Sequence, residues 1–278
     1  LSGLLTRYQQ ARLTMTNIDQ MMELPQERHE DERPLTRQSL QGALEFRQVD
    51  FNYPGQQNAA LKGINLVIRP GEKIGIIGRS GSGKSSLAKL LVGLYQADGG
   101  SLLVDGIDIR QLDVSDLRHN IGYVPQDPMS NLNPVWSIGS QVQDAVPAHG
   151  IAGGRKAVRA RAIAVLEQAG LADAAKRLHQ FPHQFSGGMR QRALIGIGLA
   201  ADPQLLIADE PTSALDVTVQ RVILDHMATL TREKGTSVLL ITHDLGLAAE
   251  RAEKIVVMKD GEIVESGPSR AILETPLH

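Results

Sequence analysis

The run Gly78-Arg79-Ser80-Gly81-Ser82-Gly83-Lys84-Ser85, followed by Ser86, places glycines where a backbone must wrap an anion and ends in a lysine and a hydroxyl. Glycines let successive N–H groups turn toward phosphate oxygens, and a helix starting beyond them would aim its positive end the same way. Lys84 would reach the β and γ phosphates of a bound nucleotide, and the Ser85 hydroxyl would ligate Mg²⁺. A second chemical run, Leu205-Leu206-Ile207-Ala208-Asp209-Glu210, is an apolar strand ending in two carboxylates. Asp209 offers the oxygen donor that Mg²⁺ prefers, and Glu210 would polarise the attacking water as general base. Taken alone, the first run is also read as a glycine loop with an incidental lysine and the second as a solvated strand end. Together they point to hydrolysis of a nucleoside triphosphate. A third run, Ser186-Gly187-Gly188-Met189, stands before a long helical stretch. Ser186 suits an N-cap, and the paired glycines leave N–H groups open to an anion, although a simple capped helix reads the same way.

The elements that must position these residues are partly legible. Leu44 to Phe51 and Leu61 to Ile68 alternate apolar and polar residues around Pro54-Gly55, which predicts two antiparallel strands. Lys73 to Ile77 predicts a strand feeding the glycine loop, with a helix beyond it through Leu94. Leu205 to Ala208 and Ser237 to Thr242 are short apolar runs flanked by helical stretches, the pattern of a parallel sheet covered on both faces. Residues 141–200 lack strand pattern, and Ile255 to Glu265 around Lys259-Asp260-Gly261 predicts a hairpin. At the start, Leu1, Leu4, Leu5, Tyr8, Leu13, Met15, Ile18, Met21 and Met22 suit an amphipathic helix, followed by a solvated linker at ERHEDER. A compact domain is expected from about Leu44.

Composition excludes several classes. With 29 Lys+Arg against 31 Asp+Glu the formal charge is −2, so no basic field recruits nucleic acid. The absence of cysteine removes disulfides, thiolate metal sites and iron–sulfur clusters, and accords with a reducing cytosol. Apolar runs such as Ala193 to Ala201 fall well short of the roughly 20 residues that span a bilayer, so membrane work calls for a partner or a further segment. His179 and His183 share an i, i+4 spacing, but Pro182 breaks any helix between them. With His119, His149 and His226 they read as structural or exposed.

Ser186-Gly187-Gly188-Met189-Arg190-Gln191 resembles the signature of ATP-binding cassette (ABC) ATPases, with Phe185 and Met189 in place of the usual Leu and Gln. The order of motifs extends the resemblance over about residues 44–275. Gln126 matches the Q-loop glutamine, Ser213-Ala214-Leu215-Asp216 the D-loop, and His243 the switch histidine, while Tyr53 stands where the family stacks adenine. Individually, Gln126 is also readable as a loop amide, His243 as a satisfied histidine and Tyr53 as a core aromatic. The resemblance implies an α/β phosphate-loop NTPase fold of the ABC ATPase type: a mostly parallel sheet, an antiparallel β subdomain at about 44–70 and a helical subdomain at about 128–200. It implies ATP and Mg²⁺, the ion held by Ser85, Gln126 and Asp209, with Glu210, His243 and Gln126 in catalysis. Ser186 to Met189 would act in trans on ATP held by a second copy, so the resemblance implies a homodimer through ATP. It further implies a transmembrane partner and a place at the cytoplasmic face of the membrane.

The two halves resemble different branches of the family. RYQQARLTMTNIDQMMELP and FNYPGQQNAALKGINLVIRPGEKIGIIGRSGSGKSSL are similar to type I secretion exporters, in which a transmembrane domain is fused ahead of the ATPase. Asn131-Leu132-Asn133-Pro134 and PHQFSGGMRQRALIGIGLAADPQLLIADEPTSALDVTVQ are similar to oligopeptide and dipeptide importer ATPases. Exporters of that kind usually place an acidic-glycine segment before the signature, absent here, and the importers lack the N-terminal helix. These likenesses imply a chimera joined near Gln126 to Met129, with residues 1–43 as the remnant of a transmembrane-domain extension and 44–278 as the ATPase domain. The end at Thr275-Pro276-Leu277-His278 fits an importer ATPase trimmed before its usual extension. A natural subfamily is the alternative origin. The alternative functions are a folded hybrid without a transport role and a soluble ABC ATPase of DNA repair or translation. Those soluble proteins usually carry a coiled-coil insertion, zinc cysteines or a second cassette.

Overall fold

The computed structural model describes residues 2–22, 34–37, 39–56, 58–146, 154–212, 215 and 217–277, and the chain forms two compact units, 1–34 and 35–278. The first contains helix α1 (Ser2–Met22), whose Tyr8, Leu13, Met15, Ile18 and Met22 are exposed. Among the described residues no helix is long and apolar enough to cross a membrane.

The second unit starts at Leu35, earlier than the alternation beginning at Leu44 indicates. Leu35 forms a bridge with Leu112, and Leu40 is buried. The Arg37 N–H donates to the Asp116 carboxylate at 2.9 Å, and the Gln41 and Ala43 N–H groups donate to Asp105 at 2.6 and 2.9 Å. Backbone groups satisfied by carboxylates far along the chain leave no apolar period, so this segment looks like linker in sequence.

Strands β1 (Leu44–Phe51) and β2 (Leu61–Ile68) pair antiparallel as their alternation requires. The chain continues through β3 (Lys73–Gly78), α2 (Lys84–Leu91), β4 (Gly99–Val104), β5 (Ile107–Asp108), α3 (Val114–Asn120) and β6 (Ile121–Val124). Helix α2 ends at Leu91, short of the expected Leu94, because Gly93 at φ +66° takes the left-handed conformation that terminates helices. Helices α4 (Pro128–Asn131), α5 (Ile138–Ala145), α6 (Gly154–Gln168), α7 (Ala174–Arg177) and α8 (Gly187–Leu199) follow with no strand among the described residues. Then come β7 (Leu205–Asp209), α9 (Val217–Lys234), β8 (Ser237–Thr242), α10 (Leu245–Arg251), β9 (Lys254–Lys259), β10 (Glu262–Pro268) and α11 (Ser269–Glu274). The β9–β10 turn is a two-residue Asp260-Gly261 loop, both residues at positive φ, the geometry that suits a twisted hairpin.

One sheet has the order β2-β1-β4-β5 and the other β10-β9-β3-β8-β7-β6. In the second, β9, β3, β8, β7 and β6 run parallel and only β10 is antiparallel. Every residue of β7 and β8 is buried, as expected for strands covered on both faces. Leu205, Ile207, Leu239 and Ile241 join a core with β1, β2 and α2. Leu206, Ala208, Val238 and Leu240 join another with α6, α8 and α9. Each such fully buried Leu or Ile contributes about 1.5–3 kcal/mol.

An ionic tie joins the helical region to the sheet. Arg161 on α6 pairs with Asp202 at 2.7 Å, and Lys234 at the end of α9 pairs with the same carboxylate. Burial holds the Arg161 and Lys234 pKa values down, Lys234 further through the Arg161 charge. Asp202→Asn keeps a residue that tolerates the local φ of +53° but leaves two half-buried cations face to face. Stability is expected to fall by about 1–2 kcal/mol, between an exposed and a buried pair. A thermal melt unchanged from wild type would contradict the tie.

Candidate nucleotide site

Parallel pairing decides where the chemistry collects. Ile77 is level with Thr242, Asp209 with Ile241, and Val124 with Ala208. The residues that follow these strand ends therefore emerge along one carboxyl edge, the usual ligand side of such sheets. The glycine loop is the first of them. Gly83 sits at φ +100°, and a Cβ there would lie 2.7 Å from the Ala60 carbonyl oxygen, so only glycine fits where the loop turns into α2. Lys84 is 6 % exposed. Its Nζ donates to the carbonyls of Gly78 at 2.7 Å and Arg79 at 2.9 Å, and to Ser82 Oγ at 3.4 Å. Burial pushes its pKa down, against the pull of Glu210 and Asp209.

Asp209 closes β7 at 6 % exposure. Burial raises its carboxyl pKa, opposed by hydrogen bonds from the Ser85 hydroxyl and from Tyr123 and by the Lys84 charge, while the neighbouring Glu210 adds to the rise. Glu210 has φ +46°, a conformation costing a non-glycine residue roughly 1–2 kcal/mol. Its N–H donates to the Ile241 carbonyl at 2.9 Å, which ties that turn to β8. Glu210 Oε2 accepts from Gln126 Nε2 at 2.9 Å and lies 3.2 Å from His243 Nδ1. Two side chains, Gln126 after β6 and His243 after β8, thus converge on one oxygen of Glu210 after β7, an arrangement that can orient a carboxylate as a general base.

Tyr53 belongs to the same cleft. Its hydroxyl and Ser86 Oγ are 3.0 Å apart. Its ring meets Phe51 and Tyr95 edge-on at 4.9 and 5.1 Å, and Lys89 Nζ lies 5.3 Å over it. The cleft, about 670 Å³, is lined by Tyr53, the loop from Ser80 to Ser86, Gln126, Glu210 and His243. Gly78 and Arg79 line the adjoining groove with Ser80 and Ser82. The donor set on the Asp209 side is all oxygen, which fits Mg²⁺.

Not every expected residue is brought together. Ser186 caps α8, its Oγ accepting from the Met189 N–H at 3.4 Å, but Ser186, Gly187, Gly188 and Met189 are not among the residues lining this cleft. Ser213, Ala214 and Asp216 lie outside the described residues. Tyr123, which belongs to no motif, donates its hydroxyl to Asp209 Oδ2 at 3.2 Å; in sequence it shows only as an aromatic on the strand before Gln126.

The sequence model for ABC transporters matches residues 61–213. A putative peptide import ATP-binding protein of Brucella abortus is 44 % identical over 238 residues, 83 % of this chain and 71 % of that protein. One of Brucella melitensis is 41 % identical over 260 residues, 88 % and 76 % of the two chains. Coverage of that extent carries the importer likeness back beyond Gln126 into the first half of the chain. Among solved structures, the dimeric ATP-binding cassette MJ0796 in a post-hydrolysis state bound to ADP and Pi superposes with a TM-score of 0.73 at 32 % identity, covering 82 % of this chain and 99 % of that one. A bacterial Atm1-family ABC exporter with ATP bound gives 0.78 at 27 % identity, over 95 % of this chain and 46 % of that one. Since the family match runs from β2 through the carboxylates that close β7, and whole-cassette relatives follow the same sheet, the chain belongs to the ABC transporter family, as one of its ATP-hydrolysing domains.

Proposed function

We propose that the chain powers a peptide importer, working as a head-to-tail homodimer with ATP at the interface and seated on a transmembrane partner at the cytoplasmic face of the membrane. The convergence of Gln126 and His243 on Glu210 beside the Lys84 loop carries the hydrolytic part of this reading. The names of the Brucella relatives support peptide import. The dimeric cassette bound to ADP and Pi supports the pairing, as does a signature segment that lines no part of its own chain's cleft.

In this reading Tyr53 stacks the adenine, and Gly78 through Ser86, with Arg79, Ser80, Gly81, Ser82 and Gly83 between, wrap the phosphates. Ser85, Gln126 and Asp209 would hold Mg²⁺, which would supply positive charge to offset that of the phosphates. Glu210 accepts the proton of the attacking water. His243 contacts the γ-phosphate, and Ser186, Gly187, Gly188 and Met189 of the second copy close over it, with Asp216 at the seam. Co-reconstitution in vesicles with the membrane subunits of a peptide importer tests the assignment. ATP-dependent peptide uptake with stimulated hydrolysis is the expected result. Hydrolysis stimulated only by exporter membrane domains would overturn import, and an inert purified chain would favour a folded hybrid with no transport role.

A finer reading concerns ancestry: an exporter-like first part joined to an importer-like signature and an importer-like Leu205 to Glu210 strand. The 95 % coverage of this chain by the Atm1-family match supports a likeness to exporters. The importer coverage of 83–88 % weighs against a sharp seam. Separate searches with residues 1–125 and 130–278 decide it, since retrieval of the same natural proteins by both halves would end the hybrid idea.

A further inference from the structure

Tyr123 has no part in the roles above, yet its hydroxyl meets the buried carboxylate on which the metal assignment depends. Strands β6 and β7 are parallel with Tyr123 level with Ile207, so the side chain at 123 stands on the same sheet face as Ile207 and, one strand period further, Asp209. The ring packs against the core that contains Ile207 and Leu87. Its O–H then reaches Asp209 Oδ2 at 3.2 Å. A phenol carries its proton at neutral pH, so toward the Asp209 carboxylate the hydroxyl acts as a donor.

A carboxylate at 6 % exposure has little water to orient it, and its rotation is set by whichever donors reach its two oxygens. Among the described residues Asp209 has two such side-chain donors, the Ser85 hydroxyl from the glycine loop and Tyr123 from β6. Ser85 is itself assigned to the metal, so its hydroxyl cannot also fix the carboxylate independently of the ion. Tyr123 can, because it approaches from the sheet. We propose that Tyr123 is a positioning residue for the metal carboxylate: its O–H fixes the rotation of Asp209 and thereby sets the affinity of the nucleotide site for its divalent cation. The proposal rests on the reading of Asp209 as a metal ligand. Outer partners of ligating groups commonly influence metal affinity this strongly.

Tyr123→Phe keeps the ring and removes only the donor. Mn²⁺ titrated into the full chain with a non-hydrolysable ATP analogue, with free Mn²⁺ read by electron paramagnetic resonance, tests the proposal directly. Half-saturation is expected to rise about tenfold in Tyr123→Phe, while affinity for the same analogue in EDTA stays at the wild-type value. A merely structural effect would weaken nucleotide binding with and without the metal alike, and that result would overturn the proposal. So would wild-type Mn²⁺ half-saturation in Tyr123→Phe when Asp209→Asn loses saturation, an outcome that leaves the metal site standing. If Asp209→Asn itself saturates like wild type, Asp209 is no ligand and both readings fall.

Discussion

Replacing Lys84 by alanine is expected to weaken ATP binding by about two to four orders of magnitude, on two lost charge-assisted contacts of about 1.5–3 kcal/mol each. In the proposed reading the Lys84 ammonium is the group that meets the phosphate oxygens. It holds the Gly78 and Arg79 carbonyls and approaches Ser82 Oγ, so the same cation organises the loop and recognises the ligand. Its titration gives the prediction a sign. Burial lowers the Lys84 pKa below its ordinary value near 10.5, with Glu210 and Asp209 pulling the other way. ATP binds best to the charged form, so affinity falls as pH rises through that lowered value. The contribution of Lys84 to folding runs oppositely: the charged lysine is disfavoured in the folded state, so stability from this group rises with pH up to about 10.5. Calorimetric titration with ATP and thermal melts between neutral and alkaline pH should show both slopes in wild type, with the affinity slope lost and the stability slope reduced in Lys84→Ala, since Lys234 keeps its own share of the latter. Alkaline loss of ATP affinity that persists in Lys84→Ala would assign the effect to another group.

The chemistry was more legible than the packing that holds it. The glycine loop, Asp209-Glu210 and Ser186-Gly187-Gly188 stand next to one another in sequence, because a phosphate cradle or a helix cap is a local backbone device. Strands β1, β2, β3, β7 and β8 were readable from alternation or from short apolar runs between helices. What sequence could not show was which side chains meet across strands. Gln126, Glu210 and His243 are far apart in the chain and share one oxygen only because β6, β7 and β8 are aligned at their carboxyl ends. The hydroxyl of Tyr123 is silent for the same reason, since an aromatic in a strand reads as core until its neighbour is known to be a carboxylate. Strands β4 and β5 carry glycines and aspartates at their ends, which hid them among turn signals. The segment from Leu35 to Ala43 was hidden by satisfying its backbone through Asp105 and Asp116 rather than through a ladder.

Glu210→Gln is expected to lower the hydrolytic rate by about 10²–10⁴-fold, to leave ATP affinity within a few-fold of wild type, and to trap an ATP-bound dimer. The backbone explains why the substitution is clean. At φ +46° with its N–H fixed on Ile241, position 210 is held by the turn and not by the charge of its side chain. An amide of the same length can therefore occupy the same place, and its oxygen can still accept from Gln126 or His243, the two groups now sharing Oε2. It cannot take the proton of the attacking water. Binding without hydrolysis then leaves the interface closed, because Ser186 to Met189 of each copy can reach only the other copy's ATP if each signature lies outside its own cleft. Size-exclusion chromatography with Mg-ATP should show a dimer for Glu210→Gln and a monomer for the double variant that adds Ser186→Arg, in which a bulky cation blocks the capped end of α8. A monomer from Glu210→Gln alone at saturating ATP would contradict the head-to-tail mechanism, and a rate within tenfold of wild type would remove Glu210 as the base.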